Sequence, residues 1–134
     1  MASPMNTFPS IGYGFGRIYG EFCFQANNTS TPLLSTVQGD AGQLVASFNR
    51  TAAGVIVVTL IQPYLKLVAA AADVDDTADD GAYATVGTIT NEGTSTPLTF
   101  TIRTRSAAGT KADMAAGRKI SVFLAFQNEA AGLR

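Results

Sequence analysis

Histidine and tryptophan are absent from the 134-residue sequence, and Cys23 is its one cysteine. Without histidine, the chain lacks the usual general base of a serine or cysteine nucleophile and the commonest ligand of zinc or copper. One cysteine forms neither an intrachain disulfide nor a thiolate metal site. Its position between Phe22 and Phe24 indicates a small side chain packed within a strand. We therefore predict that the protein is not an enzyme.

Charged side chains are scarce, at 14% of the residues, and the formal net charge is −1. Globular proteins usually carry about a quarter charged residues. The nine basic residues are scattered along the chain, so no cluster is dense enough to follow a phosphate backbone, and we predict no binding to nucleic acid. A weakly charged surface is easily desolvated, which suits contact with neighbouring subunits. An isolated β domain with an apolar exterior is the alternative.

Long apolar runs are also missing. The longest, residues 54–61, has the length of a strand, whereas a membrane-spanning helix needs about 20 apolar residues. Residues 1–10 have neither the basic start nor the apolar stretch of a secretion signal. We predict no membrane association and no export through a signal peptide.

Residues 1–16 are predicted to form an extended arm, because prolines and glycines interrupt any regular element there. The arm carries four large apolar side chains, and packing on a neighbouring subunit would explain their presence. Folding back over the chain's own core is the alternative. Two tyrosines, Tyr19 and Tyr64, are predicted to lie on outward strand faces. The candidate partner-binding residues are thus Phe8, Ile11, Tyr13, Phe15, Tyr19 and Tyr64.

Apolar residues recur with a period of two from residue 17 onwards, which predicts strands with one buried face. Residues 64–73 are ambiguous, because four consecutive alanines favour a helix by propensity, but their place among strands favours a strand. Loops with turn chemistry are predicted at 49–54 and 106–117, the second with one helical turn at 113–116. The predicted strands are 17–25, 34–38, 44–48, 55–61, 64–73, 83–90, 98–103 and 119–127.

These seven or eight short strands predict an all-β fold, an antiparallel β-sandwich or jelly roll. The β-sandwich domain is expected to span residues 17–128, between the N-terminal arm of residues 1–16 and a C-terminal tail of residues 129–134.

Half of the ten carboxylates crowd into one stretch, as Asp73, Asp75, Asp76, Asp79 and Asp80. Closely spaced oxygen ligands suit calcium, but the spacing fails the EF-hand loop, which needs a glycine where Ala78 stands. We predict a solvated acidic loop and no cofactor, with an irregular calcium site as the alternative. A glycosidase-type carboxylate pair would need Glu21, Glu92, Asp113 or Glu129 as a partner. All four lie in plain strand or loop contexts.

Three segments, residues 49–60, 64–67 and 120–128, together resemble small β-structured virion proteins of tailed bacteriophages. The resemblance implies a capsid decoration (cement) protein, located in the virion and assembled in the host cytoplasm. Its implied partners are the major capsid protein or other virion subunits, with further copies of itself in a homo-oligomer. The alternatives are a tail-fibre, neck or receptor-binding accessory module and a non-viral β-sandwich adhesion or carbohydrate-binding module. Such proteins bind through broad surfaces, so the resemblance assigns no individual residues.

Overall fold

The computed structural model describes residues 17–39 and 44–127. The described residues form eight strands and a short 3-10 helix, Leu34–Thr36. The predicted arm, with Phe8, Ile11, Tyr13 and Phe15, and the predicted tail lie outside the described residues. The strands are β1 Arg17–Gln25, β2 Gln38–Gly39, β3 Val45–Ala52, β4 Val55–Leu60, β5 Lys66–Val74, β6 Tyr83–Thr90, β7 Thr99–Arg105 and β8 Lys119–Gln127.

The strands form two antiparallel sheets of four. The first sheet has the order β2-β1-β8-β5, and the second has the order β3-β4-β7-β6. Within the second sheet, β3–β4 and β6–β7 are neighbours both in sequence and in space. The predicted all-β class, the β-sandwich and the number of strands are confirmed.

One apolar core lies between the sheets, because each strand turns alternate side chains inward. In β8 the inward residues are Ile120, Val122, Leu124 and Phe126, each at most 2% exposed. They meet fully buried residues of the second sheet, among them Phe100. Full burial of one such side chain contributes about 1.5–3 kcal/mol, so this alternation is the main source of stability.

The alanine-rich segment forms strand β5, as predicted. It pairs with β8 from Lys66 to Val74, with an irregularity between Leu67 and Ala69. Ala70 packs against the core, whereas Ala71 is exposed. Pairing with a central strand therefore overrides the helical propensity of the alanines.

Three local predictions are wrong. The predicted loop 49–54 is mostly strand, since β3 continues to Ala52 and only Ala53 and Gly54 turn the chain. The predicted strand 34–38 begins as a 3-10 helix, in which the Thr36 side chain donates to the carbonyl of Leu33 at 2.7 Å. Hydroxyl groups that bond to nearby backbone in this way compete with strand pairing. The helical turn predicted at 113–116 is irregular chain, where Asp113 binds a distant arginine instead.

Candidate partner-binding surface

The side of the first sheet that faces away from the core is a broad surface, here called the outer face. It follows from the same alternation that builds the core, because residues between the inward positions must point outward. The pairing of β1, β8 and β5 sets these residues in rows. The rows are Tyr19–Ala125–Ala69, Glu21–Phe123–Ala71 and Cys23–Ser121–Asp73.

Two exposed aromatic rings lie at the centre of the outer face. Tyr19 is 49% exposed and Phe123 is 43% exposed. Their ring centroids are 6.2 Å apart, with the planes inclined by 22°, within the range of favourable offset stacking. Large aromatic side chains held on a rigid sheet are the typical anchors of protein interfaces.

A shallow groove of about 410 Å³ runs beside this aromatic pair. Alanines on β5 leave it open next to Phe123, because their side chains end at Cβ. Cys23 lines it and directs its thiol towards the side-chain oxygen of Gln38, at 3.9 Å. Two carboxylates, those of Glu21 and Asp73, also line the groove. The outer face thus combines an apolar centre with acidic positions.

The two tyrosines predicted to face outward differ in the structure. Tyr19 lies on the outer face, as its strand position predicted. The outward placement predicted for Tyr64 is wrong, because its side chain is 7% exposed and its ring stacks on Phe126 with a centroid distance of 4.1 Å. Burial raises the pKa of the Tyr64 hydroxyl. Tyr64 precedes β5 and turns into the core, so it is not available as a surface anchor.

Phe123 is the outer-face residue that sequence reasoning missed. The pattern assigned the inward positions of β8 correctly, and Phe123 falls between Val122 and Leu124 in the outward phase. A large aromatic residue at a solvent-facing position of an amphipathic strand is a sequence feature that can indicate a binding surface. Its pairing with Tyr19, however, depends on the register of two strands about 100 residues apart in sequence.

The acidic stretch is held by one arginine rather than simply solvated. Arg118 donates two hydrogen bonds of 2.8 Å to the carboxylate oxygens of Asp80. Its Nε also donates to the backbone carbonyl of Asp75 at 2.8 Å. The arginine side chain is only 8% exposed, so a bidentate, charge-assisted pair anchors the loop to the start of β8.

Other donors also engage the acidic loop. One carboxylate oxygen of Asp76 accepts hydrogen bonds of 3.1 Å from the backbone N–H groups of Asp80 and Gly81. In residues 17–39 and 44–127, no three potential ligands are grouped to hold a metal ion. Calcium binding by this loop stays the alternative stated above, and the described contacts give the carboxylates a structural role.

The pair between Asp80 and Arg118 predicts an acid-dependent loss of stability. Hydrogen bonds from Arg118 and then from the backbone lower the pKa of Asp80 from 3.8 to about 2. A carboxylate with a lowered folded-state pKa stabilises the folded protein above its unfolded pKa, and this contribution is lost as the pH falls through the folded value. The loss from this pair falls between about pH 4 and pH 2. We therefore expect Asp80→Asn to flatten the decline of stability in this window.

Urea denaturation at a series of pH values between 5 and 2 measures this effect. Asp79→Asn is the matched control, since Asp79 is exposed in the same loop and takes no part in the ion pairs of the described residues. Identical pH profiles for the two variants would contradict the assignment.

A second ion pair ties the β3–β4 hairpin to the segment before β8. Arg50 donates to both carboxylate oxygens of Asp113, at 2.8 and 2.7 Å, and the backbone N–H of Gly54 donates to the same group at 3.0 Å. The hydrogen bond from Arg50 is the main cause of the lowered pKa of Asp113. Glu92 accepts from the backbone N–H of Leu67 at 2.7 Å. Both acids, considered above as catalytic partners, thus make structural contacts.

No family model, curated protein or solved structure matches this chain. None of the described residues belongs to a helix long and apolar enough to cross a membrane. The fold and the site together define an antiparallel β-sandwich with an apolar, aromatic surface on one sheet.

Proposed function

We propose that the protein is a capsid decoration (cement) protein of a tailed bacteriophage, which binds the assembled shell and stabilises it through protein–protein contacts. The observation that carries this proposal is the outer face, where Tyr19 and Phe123 expose nearly half of their side chains on a rigid sheet. Exposed aromatic anchors with small neighbours suit a partner surface that buries them. Because three sequence segments resemble phage virion proteins, we infer that this partner is part of the virion.

The outer face alone is smaller than a standard interface, so the proposed contact with the shell needs a further part of the chain. Strands β1, β8 and β5 have nine residues each. At about 3.3 Å per residue and 4.8 Å between strands, the face measures about 15 Å by 30 Å. That is about 450 Å², compared with about 800 Å² per partner in a standard interface. The predicted arm would supply the remainder through Phe8, Ile11, Tyr13 and Phe15.

The roles of the carboxylates in this chain also fit binding rather than catalysis. The carboxylates of Asp80, Asp113 and Glu92 serve the fold, as described above. Those of Glu21 and Asp73 line the groove on the outer face, where they would favour a partner with complementary charge and disfavour others. The proposed protein needs no cofactor, nucleic acid or membrane, and its partners are shell subunits and further copies of itself.

The first test of the proposal is the copy number of this chain in purified phage particles. A decoration protein is expected in a fixed ratio to the major shell subunit. A few copies per particle would instead assign the chain to the neck, tail or fibre, and its absence from particles would contradict a virion role.

Binding to shells that lack the protein tests the outer face itself. We expect Phe123→Ser to weaken binding by roughly 30-fold, the effect of losing an interface anchor worth about 2 kcal/mol. Tyr83→Ser is the matched control, because Tyr83 is an aromatic residue of similar exposure, 38%, on the second sheet. Co-sedimentation of each variant with shells measures the difference. Equal binding of the two variants would show that the outer face does not bind the shell.

A further inference from the structure

We propose that two copies of the free protein pack their outer faces on each other around a two-fold axis and form a reversible dimer. The proposal goes beyond the shell-binding function and concerns the molecule before it meets the capsid. It rests on the placement of charged, aromatic and small side chains along strands β1, β8 and β5.

The outer face carries two opposite charges on strand β5. Lys66 pairs with Gln127 of β8, and Asp73 pairs with Ser121. Both charged residues are exposed, and neither belongs to an ion pair among the described residues. The six residues from Ser121 to Gln127 correspond to about 20 Å of strand. Lys66 and Asp73 therefore lie about 10 Å on either side of the level of Leu124.

A two-fold axis that crosses the strands at the level of Leu124 makes these charges complementary. It lays each strand antiparallel on its counterpart in the second copy, so Lys66 of each copy meets Asp73 of the other. Such a contact is isologous, which means that the same residue pair occurs twice. Stacked sheets lie about 10 Å apart with their strand directions within about 30° of each other. A lysine and a carboxylate that reach towards each other bridge that gap.

The same axis brings the aromatic pairs of the two copies together. The levels of Phe123 and Ala125 interchange on β8, as do those of Ala71 and Ala69 on β5. Phe123 of one copy therefore lies at the level of Tyr19 and Ala69 of the other, where the small alanine side chain leaves room for the ring. Tyr19 in turn comes to the level of Phe123, beside which the groove of the second copy opens. Four rings, each nearly half exposed in a single chain, are thus covered at the centre of the contact.

The area of the outer face indicates a weak dimer. Each copy contributes about 450 Å², so the contact buries about 900 Å² in total. Specific interfaces below about 1,200 Å² are typically transient. We expect a dissociation constant of roughly 10–100 μM. A dimer of this strength covers the aromatic rings in concentrated free protein, and the larger interface with the shell can displace it.

Sedimentation equilibrium of the full-length protein, over concentrations that span the expected dissociation constant, measures the dimer. Lys66→Glu should weaken it at least about tenfold, because the two-fold axis turns one substitution into two contacts between like charges. Asp73→Lys should act in the same way. The double variant Lys66→Glu/Asp73→Lys restores opposite charges across the contact, so it should dimerise like the parent. Phe123→Ser should stay monomeric, since it removes the central ring of both copies.

Lys111→Glu is the matched control, because it makes the same change in net charge at an exposed residue that bridges to Arg105 of the second sheet. A parent protein that stays monomeric throughout would overturn the proposal. Equal effects of Lys66→Glu and Lys111→Glu, or a double variant that does not recover dimerisation, would also overturn it. The experiment contains no shells, so its failure is distinguishable from a failure of shell binding.

Discussion

Replacement of Gly54 by alanine is expected to lower the free energy of unfolding by about 2–5 kcal/mol in total. Gly54 turns the β3–β4 hairpin with a φ of +68°, and a Cβ there would lie 2.6 Å from the carbonyl oxygen of Thr104 and 2.7 Å from the backbone nitrogen of Ala112. The left-handed conformation costs a residue with a side chain about 1–2 kcal/mol. Overpacking against atoms that cannot rotate away adds about 1–3 kcal/mol.

The close approach has a structural origin. The Gly54 carbonyl accepts a hydrogen bond of 2.9 Å from the backbone N–H of Thr104, and Thr104 is bonded in turn to Ala112. The Gly54 N–H donates to Asp113. The turn therefore lies against the backbone of β7 and of the segment before β8.

Gly117→Ala is the control that separates the conformational cost from the cost of overpacking. Gly117 has a φ of +88°, but a Cβ there meets no atom within 4 Å, so only the conformational cost of about 1–2 kcal/mol is expected. Urea denaturation of the two variants and the parent measures the difference. Similar losses for Gly54→Ala and Gly117→Ala would show that the backbone around Gly54 adjusts to a side chain.

Strands with one buried face were predictable from the sequence alone. Strands β6 and β8 begin and end where the alternating pattern predicted, at residues 83–90 and 119–127. The reason is physical, since a two-sheet sandwich has a single core and every strand must divide its side chains between core and outside. Even β4, which is almost entirely apolar in sequence, alternates between buried and half-buried residues.

Two of the wrong predictions, the loop at 49–54 and the outward Tyr64, involve contacts between residues distant in sequence. Residues 49–52 have turn chemistry, yet they form a strand because β3 pairs with β4, and because Arg50 binds Asp113, 63 residues away. Tyr64 follows Pro63 and lies in the core, where its ring stacks on Phe126, far away in the sequence. Local patterns carry no information about such partners.

The candidate surface was predictable in part. The alternation in β1 places Tyr19 outward, and the same logic applied to β8 places Phe123 outward. What the sequence does not contain is the register that sets Glu21 opposite Phe123 and brings the two rings together. The groove likewise depends on β5 lying on the other side of β8, where its alanines leave room.

On β8, replacement by alanine is expected to lower the free energy of unfolding much more at Phe126 than at Phe123. Phe126 is fully buried, stacks on Tyr64 and faces Ile18 and Leu67 on the neighbouring strands. Removing such a ring leaves a cavity, and Phe126→Ala should lower the free energy of unfolding by about 3–5 kcal/mol. That is a large fraction of the roughly 5–15 kcal/mol that holds a typical domain together.

Phe123→Ala, three residues away on the same strand, should cost about 1 kcal/mol or less, as exposed positions usually do. The same variant should bind shells poorly, because it removes an exposed anchor from the outer face and leaves the fold intact. Denaturation in urea and co-sedimentation with shells give the two measurements on identical protein. A loss of stability at Phe123 equal to that at Phe126 would show that the outer face is part of the core of the free protein rather than a surface held ready for a partner.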